Sequence, residues 1–244
     1  MDLIQEFEQW VGEDTYIKQV SIDCVIFGFH DNNLKVLLPK LKLDEDLWAL
    51  PGGYIGKDES VLNATRRILE SRTGLVDIYL EQFGVFGELN RNSKDLVKTI
   101  TNKIGVTTEE HFWVFDRFIS LGFYALVEYS KVTPRLNNIL DESCDWYSIK
   151  ELPALAIDHD QIIQKGLETL RIMLDHKLAG FNLLGETFTM KELQKMYETI
   201  LDKPLRRDNF QRKMLDMDIL ERLEKQYTGA ANKAPYLYKL KTIK

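Results

Sequence analysis

Apolar and β-branched residues run almost unbroken from Lys18 to Phe29, pause at Asp31-Asn32-Asn33, and resume from Leu34 to Leu41. Two such runs about an Asn-rich turn predict a hairpin of strands. Asp23 interrupts the first run. A carboxylate among apolar neighbours has to find a partner or face a cavity. From Asp58 the period changes. Val61, Leu62, Ile68 and Leu69 recur at helical spacing, Asp58 is placed to cap, Glu59 suits the positive end, and Gly74 ends the pattern. Pro51-Gly52-Gly53 reads as a loop before this helix. Two more strands are predicted over 82–89 and 117–129. The stretch between them, 92–116, is longer than hairpin loops usually run and reads as an insertion carrying one short helix near 94–104. Trp146-Tyr147 and Glu151-Leu152-Pro153 close this part of the chain. Leu3, Ile4, Phe7, Trp10 and Val11 share one face of an N-terminal amphipathic helix over 2–12.

The pattern changes again after residue 177. Thr189 caps a helix predicted from Met190 to about Leu201, with Leu193, Met196, Tyr197 and Ile200 on one face. Asp202-Lys203-Pro204 breaks it. A second helix follows from about Leu205 to Met217, with Phe210, Met214 and Leu215 inward. Strands at 219–223 and 236–240 flank a loop. Helix, turn, helix and hairpin make a winged helix. The domain expectation is 1–157, a linking helix over 158–177, and 178–244. The fold class is α+β: an α/β/α sandwich with a mixed sheet, followed by a winged helix-turn-helix.

Composition narrows the class without changing the layout. Of 244 residues, 44% are hydrophobic and 29% charged, as in ordinary soluble domains. No apolar run is long enough to span a membrane, and the acidic N-terminus does not look like a signal peptide. Cys24 and Cys144 lack metal or redox spacing, so reduced thiols and a cytoplasmic location are expected. The four histidines form no metal pattern. Charge is uneven: residues 178–244 carry 13 Lys and Arg against 9 Asp and Glu, a net of +4, while the preceding 177 residues carry −10. An acidic body with a basic tail fits a sensor joined to a nucleic-acid reader.

The second helix of the tail has the residues of a recognition helix. Arg206, Arg207, Asn209, Gln211, Arg212 and Lys213 crowd its start and exposed face. Arginine reads guanine or grips phosphate, and Asn or Gln can pair with adenine. Lys225, Tyr227, Asn232 and Lys233 on the wing suit phosphate or minor-groove contact.

Residues 48–75 resemble the Nudix box. Gly53, Glu59, Arg67, Leu69, Gly74 and Leu75 fit its pattern, and Leu50-Pro51-Gly52-Gly53 belongs with it. Three glutamates that follow the arginine in that family are replaced by Ile68, Ser71 and Arg72. The family hydrolyses nucleoside diphosphate derivatives with magnesium, a hard cation that needs oxygen ligands. The box therefore predicts a non-enzyme with no catalytic residue, metal or cofactor. The alternative, an active hydrolase of ADP-ribose or nucleotide sugars with a DNA-binding tail, needs ligands from elsewhere, such as Glu59, Glu70 and Glu88.

The box, the winged helix and their order resemble the Nudix-related transcriptional regulators. The strand Ser21–Phe29, the junction Leu152–His159 and Ala234–Tyr238 also match. The resemblance implies a homodimeric regulator, a repressor by expectation, that binds a palindromic double-stranded operator under control of a small molecule. Family effectors include ADP-ribose and pentoses such as L-arabinose. The lost carboxylates tilt the expectation to a sugar or nucleotide sugar, as in the branch controlling arabinose use. Arg66, Arg67, Arg72 and Arg117 keep a phosphate open. Asp23, Lys40, Trp48 and Glu59 are the expected effector contacts, taken from strand and loop positions.

Overall fold

The computed structural model describes residues 15–43, 45–76, 78–89, 91, 94–103, 105, 113–136, 141–175, 183–226 and 234–241. The helix expected at 2–12 and the wing residues Tyr227, Asn232 and Lys233 lie outside them.

Strand β1 (Tyr16–His30) turns through Asp31 and Asn32, both at positive φ, into β2 (Asn33–Leu41). The primed turn geometry matches the strand twist, which is why the Asn-rich tripeptide forecast the hairpin. β3 (Gly52–Gly56) pairs antiparallel with β1, placing Gly52 opposite Asp23 and Gly53 opposite Ile22. The glycine tract expected as a loop is therefore a short strand. Helix α1 (Val61–Thr73) is capped by Ser60, whose side chain accepts from the Asn63 amide; Asp58 does not cap it. Gly74 stops it at φ 75°, a left-handed conformation that a side chain would strain.

β4 (Tyr79–Phe86), α2 (Lys94–Lys103), β5 (Ile119–Val127) and β6 (Asp141–Ser148) complete the first layer set. The sheet order is β4-β5-β1-β2-β6, with β3 also on β1. β1 and β5 are parallel, whereas the other pairs are antiparallel. Alternation along β1 supplies two faces. Ile22, Cys24 and Ile26 pack towards Ala64, Ile68 and Leu69 of α1. Val25 and Phe27 pack with Ile162, Ile163 and Leu167 of α3 (His159–Met173). The helix expected as a link is thus also the second outer layer of the sandwich. Burial pushes the Cys24 thiol well up and the Cys144 thiol up to about 12, so both remain protonated and inert.

The C-terminal unit is a winged helix: β7 (Phe188–Thr189), α4 (Met190–Leu201), α5 (Arg207–Asp216), β8 (Leu220–Lys225) and β9 (Tyr236–Leu240), with sheet order β7-β9-β8. Thr189 and Glu192 form a reciprocal capping box. α5 is shorter than expected and has Arg206 as its N-cap. Phe210 and Met214 point inward, but Leu215 is 45% exposed and belongs outside. The apolar cluster under α3 continues through Leu193, Met196 and Tyr197 to Phe210 and Met214. The two units share this core.

Candidate functional site

The glycine strand, α1, α2 and the start of α3 enclose a cavity of about 190 Å³. Asp23 forms part of its wall and is 7% exposed. Its partner is Arg91, whose Nη2 donates to Asp23 Oδ2 at 2.8 Å. Arg91 Nε also reaches both oxygens of Asp158, at 3.0 and 2.9 Å, and Nη1 donates to the Phe118 carbonyl. The Ser120 hydroxyl adds a 2.6 Å bond to Asp23 Oδ2. One guanidinium thus bridges two acids, and its fork geometry allows it to face both.

His159 closes the other side. Its Nδ1 accepts from the Leu50 amide at 2.9 Å, so any ring proton of the neutral form sits on Nε2, 3.7 Å from Asp23 Oδ1. Burial holds its pKa below the ordinary histidine value, against the opposing pull of Asp23. Arg72, 4% exposed, forms a second buried ion pair with Asp141 on the cavity wall. Tyr54, packed against Trp113 and Phe118, supplies an aromatic surface.

Gly52 shows why the wall is built from glycine. A Cβ there would lie 2.7 Å from the Ile22 carbonyl oxygen and 2.8 Å from Asp23 Oδ1. Neither can give way easily: one is backbone, and the other belongs to a carboxylate whose second oxygen, Oδ2, is held by Arg91 and Ser120.

Of the four expected effector contacts, only Asp23 lines this cavity. Lys40 pairs at the surface with Asp46 and Glu142. Trp48 is buried in the core, edge-on to Tyr147. Glu59 turns back on its own loop, where Oε1 accepts from the Gly56 amide and from Arg67. Arg67 binding holds its carboxyl below the usual range. Sequence position placed all four near the glycine tract, but side-chain direction decides which faces the cavity. The residues missed were Arg91, Ser120, Asp158 and His159. Asp23 was the available signal: a buried carboxylate calls for a cation, although not for one at a stated position.

The magnesium of the Nudix box does not fit the groups present. Ile68 packs against Gly53, the Ser71 hydroxyl donates to the Ile68 carbonyl, and Arg72 is a cation committed to Asp141. No three His, Cys, Asp or Glu side chains converge on a metal position among the described residues.

On the winged helix, Arg206, Arg207, Asn209, Arg212 and Lys213 are exposed and Gln211 is half-buried. Lys213 already pairs with Asp175 at 2.5 Å. On the wing, exposed Lys225 lies 5.1 Å from the Tyr236 ring centroid, and Arg222, unforeseen from sequence, lies 4.5 Å from it. The cations are held on one aromatic platform.

The model described as NUDIX domain matches residues 17–166, and one described as NrtR DNA-binding winged helix domain matches 180–240. The ADPR responsive transcriptional repressor NtrR of Acinetobacter baylyi is 24% identical over 222 residues, covering 88% of this chain and 79% of that protein. Shewanella oneidensis NrtR has a crystal structure that superposes with TM-score 0.68 at 28% identity, covering 92% of this chain and 94% of the other. The same protein complexed with a 27mer DNA gives TM-score 0.69 at the same identity and coverage. A MutT/nudix family protein from Enterococcus faecalis shares the fold, with TM-score 0.67 at 20% identity over 96% of this chain and 91% of that one.

Proposed function

The chain belongs to the NUDIX domain family, and from that premise we propose that it is a ligand-responsive transcriptional repressor without hydrolase activity. The observation carrying this reading is the pairing of a cavity retained over a box that lacks its carboxylates with a basic winged helix sharing the same apolar core. α5 is the element that enters the major groove, with Arg206, Arg207 and Asn209 at its leading end. Arg222 and Lys225 meet phosphate from the wing. The chain acts as a homodimer on a palindrome, each protomer reading one half-site.

ADP-ribose is the first effector to test, because a relative over most of the chain is named as ADPR responsive. A pentose such as L-arabinose is the second. Arg72 and Arg91 are already neutralised by aspartates, leaving carboxylate oxygens and aromatic surface to meet sugar hydroxyls. The test is fluorescence anisotropy on a duplex enriched from a randomised pool by the chain itself, with each compound added. Release of the duplex by one compound identifies the effector. A chain that ignores every duplex at low salt refutes the reading. With magnesium, ADP-ribose should remain intact; metal-dependent turnover lost on Glu59→Gln would restore the hydrolase alternative.

A further inference from the structure

Helix α3 grips both functional regions by its side chains. At its N-terminal end, Asp158 is held by Arg91 and His159 by the Leu50 amide, both in the cavity wall. At its C-terminal end, Arg171 Nε donates to the Ile200 carbonyl of α4 at 2.7 Å. Just beyond the helix, Asp175 Oδ2 holds Lys213 of α5 at 2.5 Å. The other Asp175 oxygen is buried, and its carboxylate adds to burial in raising the Tyr197 phenol of α4. α3 and the short stretch that follows it therefore touch both helices of the reader.

The stretch between these contacts is stiff. Fifteen helical residues span roughly 22 Å. Ile162, Ile163, Leu167 and Leu170 are buried along it in the cluster shared by sheet and winged helix. A close-packed interface of this kind shifts as a unit and does not deform locally.

We propose that α3 is the coupling element and that Asp175–Lys213 is its output contact. A ligand whose acceptor oxygens compete for Arg91 loosens Asp158 and tilts the N-terminal end of α3. Asp175, at the far end, then changes its hold on the recognition helix. This rests on the ligand-responsive reading above.

The experiment uses the full chain, the duplex it enriches, and ADP-ribose as the probe. The readout is the ratio of duplex Kd with and without saturating ADP-ribose, alongside the ADP-ribose Kd of DNA-free protein by calorimetry. Asp175 and Lys213 side chains are 45% and 47% exposed, so neutral variants retain the fold. Asp175→Asn and Lys213→Gln should each shrink the ratio about two- to fivefold, the scale of an exposed ion pair. ADP-ribose affinity of the DNA-free protein should stay at the wild-type value, and Asp175→Glu should recover the ratio. An unchanged ratio in both neutral variants overturns the coupling role. A ratio lost together with ADP-ribose affinity also overturns it, because the effect would then arise at the cavity. A wild-type ratio of one with ADP-ribose and again with L-arabinose instead refutes the ligand-responsive reading beneath it.

Discussion

Two groups of arginines hold their charge in opposite ways. Under the glycine strand, Arg72 and Arg91 are each almost wholly buried and locked to aspartates. On α5, Arg206, Arg207 and Arg212 stand in solvent, with no ion pair among the described residues. The residue type is the same but the energetics differ. A buried guanidinium is tolerated only because its partners offset the loss of water, so removing one member strands the rest. An exposed guanidinium keeps its hydration and is available to a phosphate or a base. The first arrangement fixes a shape, and the second waits for a partner.

Arg91→Met should give the largest effect. It strands Asp23 and Asp158 together and should cost about 3–5 kcal/mol of folding stability in urea denaturation. Arg207→Ala should change stability by less than about 0.5 kcal/mol. If the two variants unfold alike, the contrast between buried and exposed arginines fails.

Duplex binding should reverse the order. Arg206→Ala and Arg207→Ala should each weaken binding by about 1–3 kcal/mol, with relaxed specificity, if they reach base edges. Competition between matched and altered duplexes measures both effects.

A third effect is tied to pH. The unfolded chain takes up a proton on His159 near its ordinary value, while the folded chain, with its pKa depressed by burial, resists it. Stability from this residue is therefore present above about pH 6.5 and lost as pH falls through the window below. The slope should reach at most about 1.4 kcal/mol per pH unit, and His159→Gln should flatten it in melts between pH 7 and pH 5.

The smallest expected effect belongs to the wing. Lys225→Ala should weaken all duplexes alike and lower the salt slope by roughly 1. A loss confined to one sequence would make Lys225 a base reader.

What could be read in advance divides along the same line. The winged helix was legible because its signals are local: Thr189 and Glu192 are three residues apart, and the face of α4 follows one period. The hairpin at Asp31-Asn32 was local too. The cavity was not, because its decisive bond joins Asp23 to a residue 68 positions away. No periodicity marks Arg91, which stands in a polar tract. β3 was missed for the same reason, since Gly52 and Gly53 become a strand only through pairing with β1. Ser60 displaced Asp58 as the cap because the helix starts two residues later than the charge pattern suggested.

The crowding at Gly52 bears on how such chains diverge. Its missing side chain makes room for a backbone oxygen and for the Asp23 carboxylate. That demand is geometric and persists whether or not a metal is ever bound nearby. A lineage could lose every catalytic acid of the box and still be unable to replace this glycine without displacing the strand beside it. Survival of the tract therefore records the shape of a seat and says little about turnover. The helix positions 68, 71 and 72, not the glycines, are where gain or loss of hydrolysis would leave its trace.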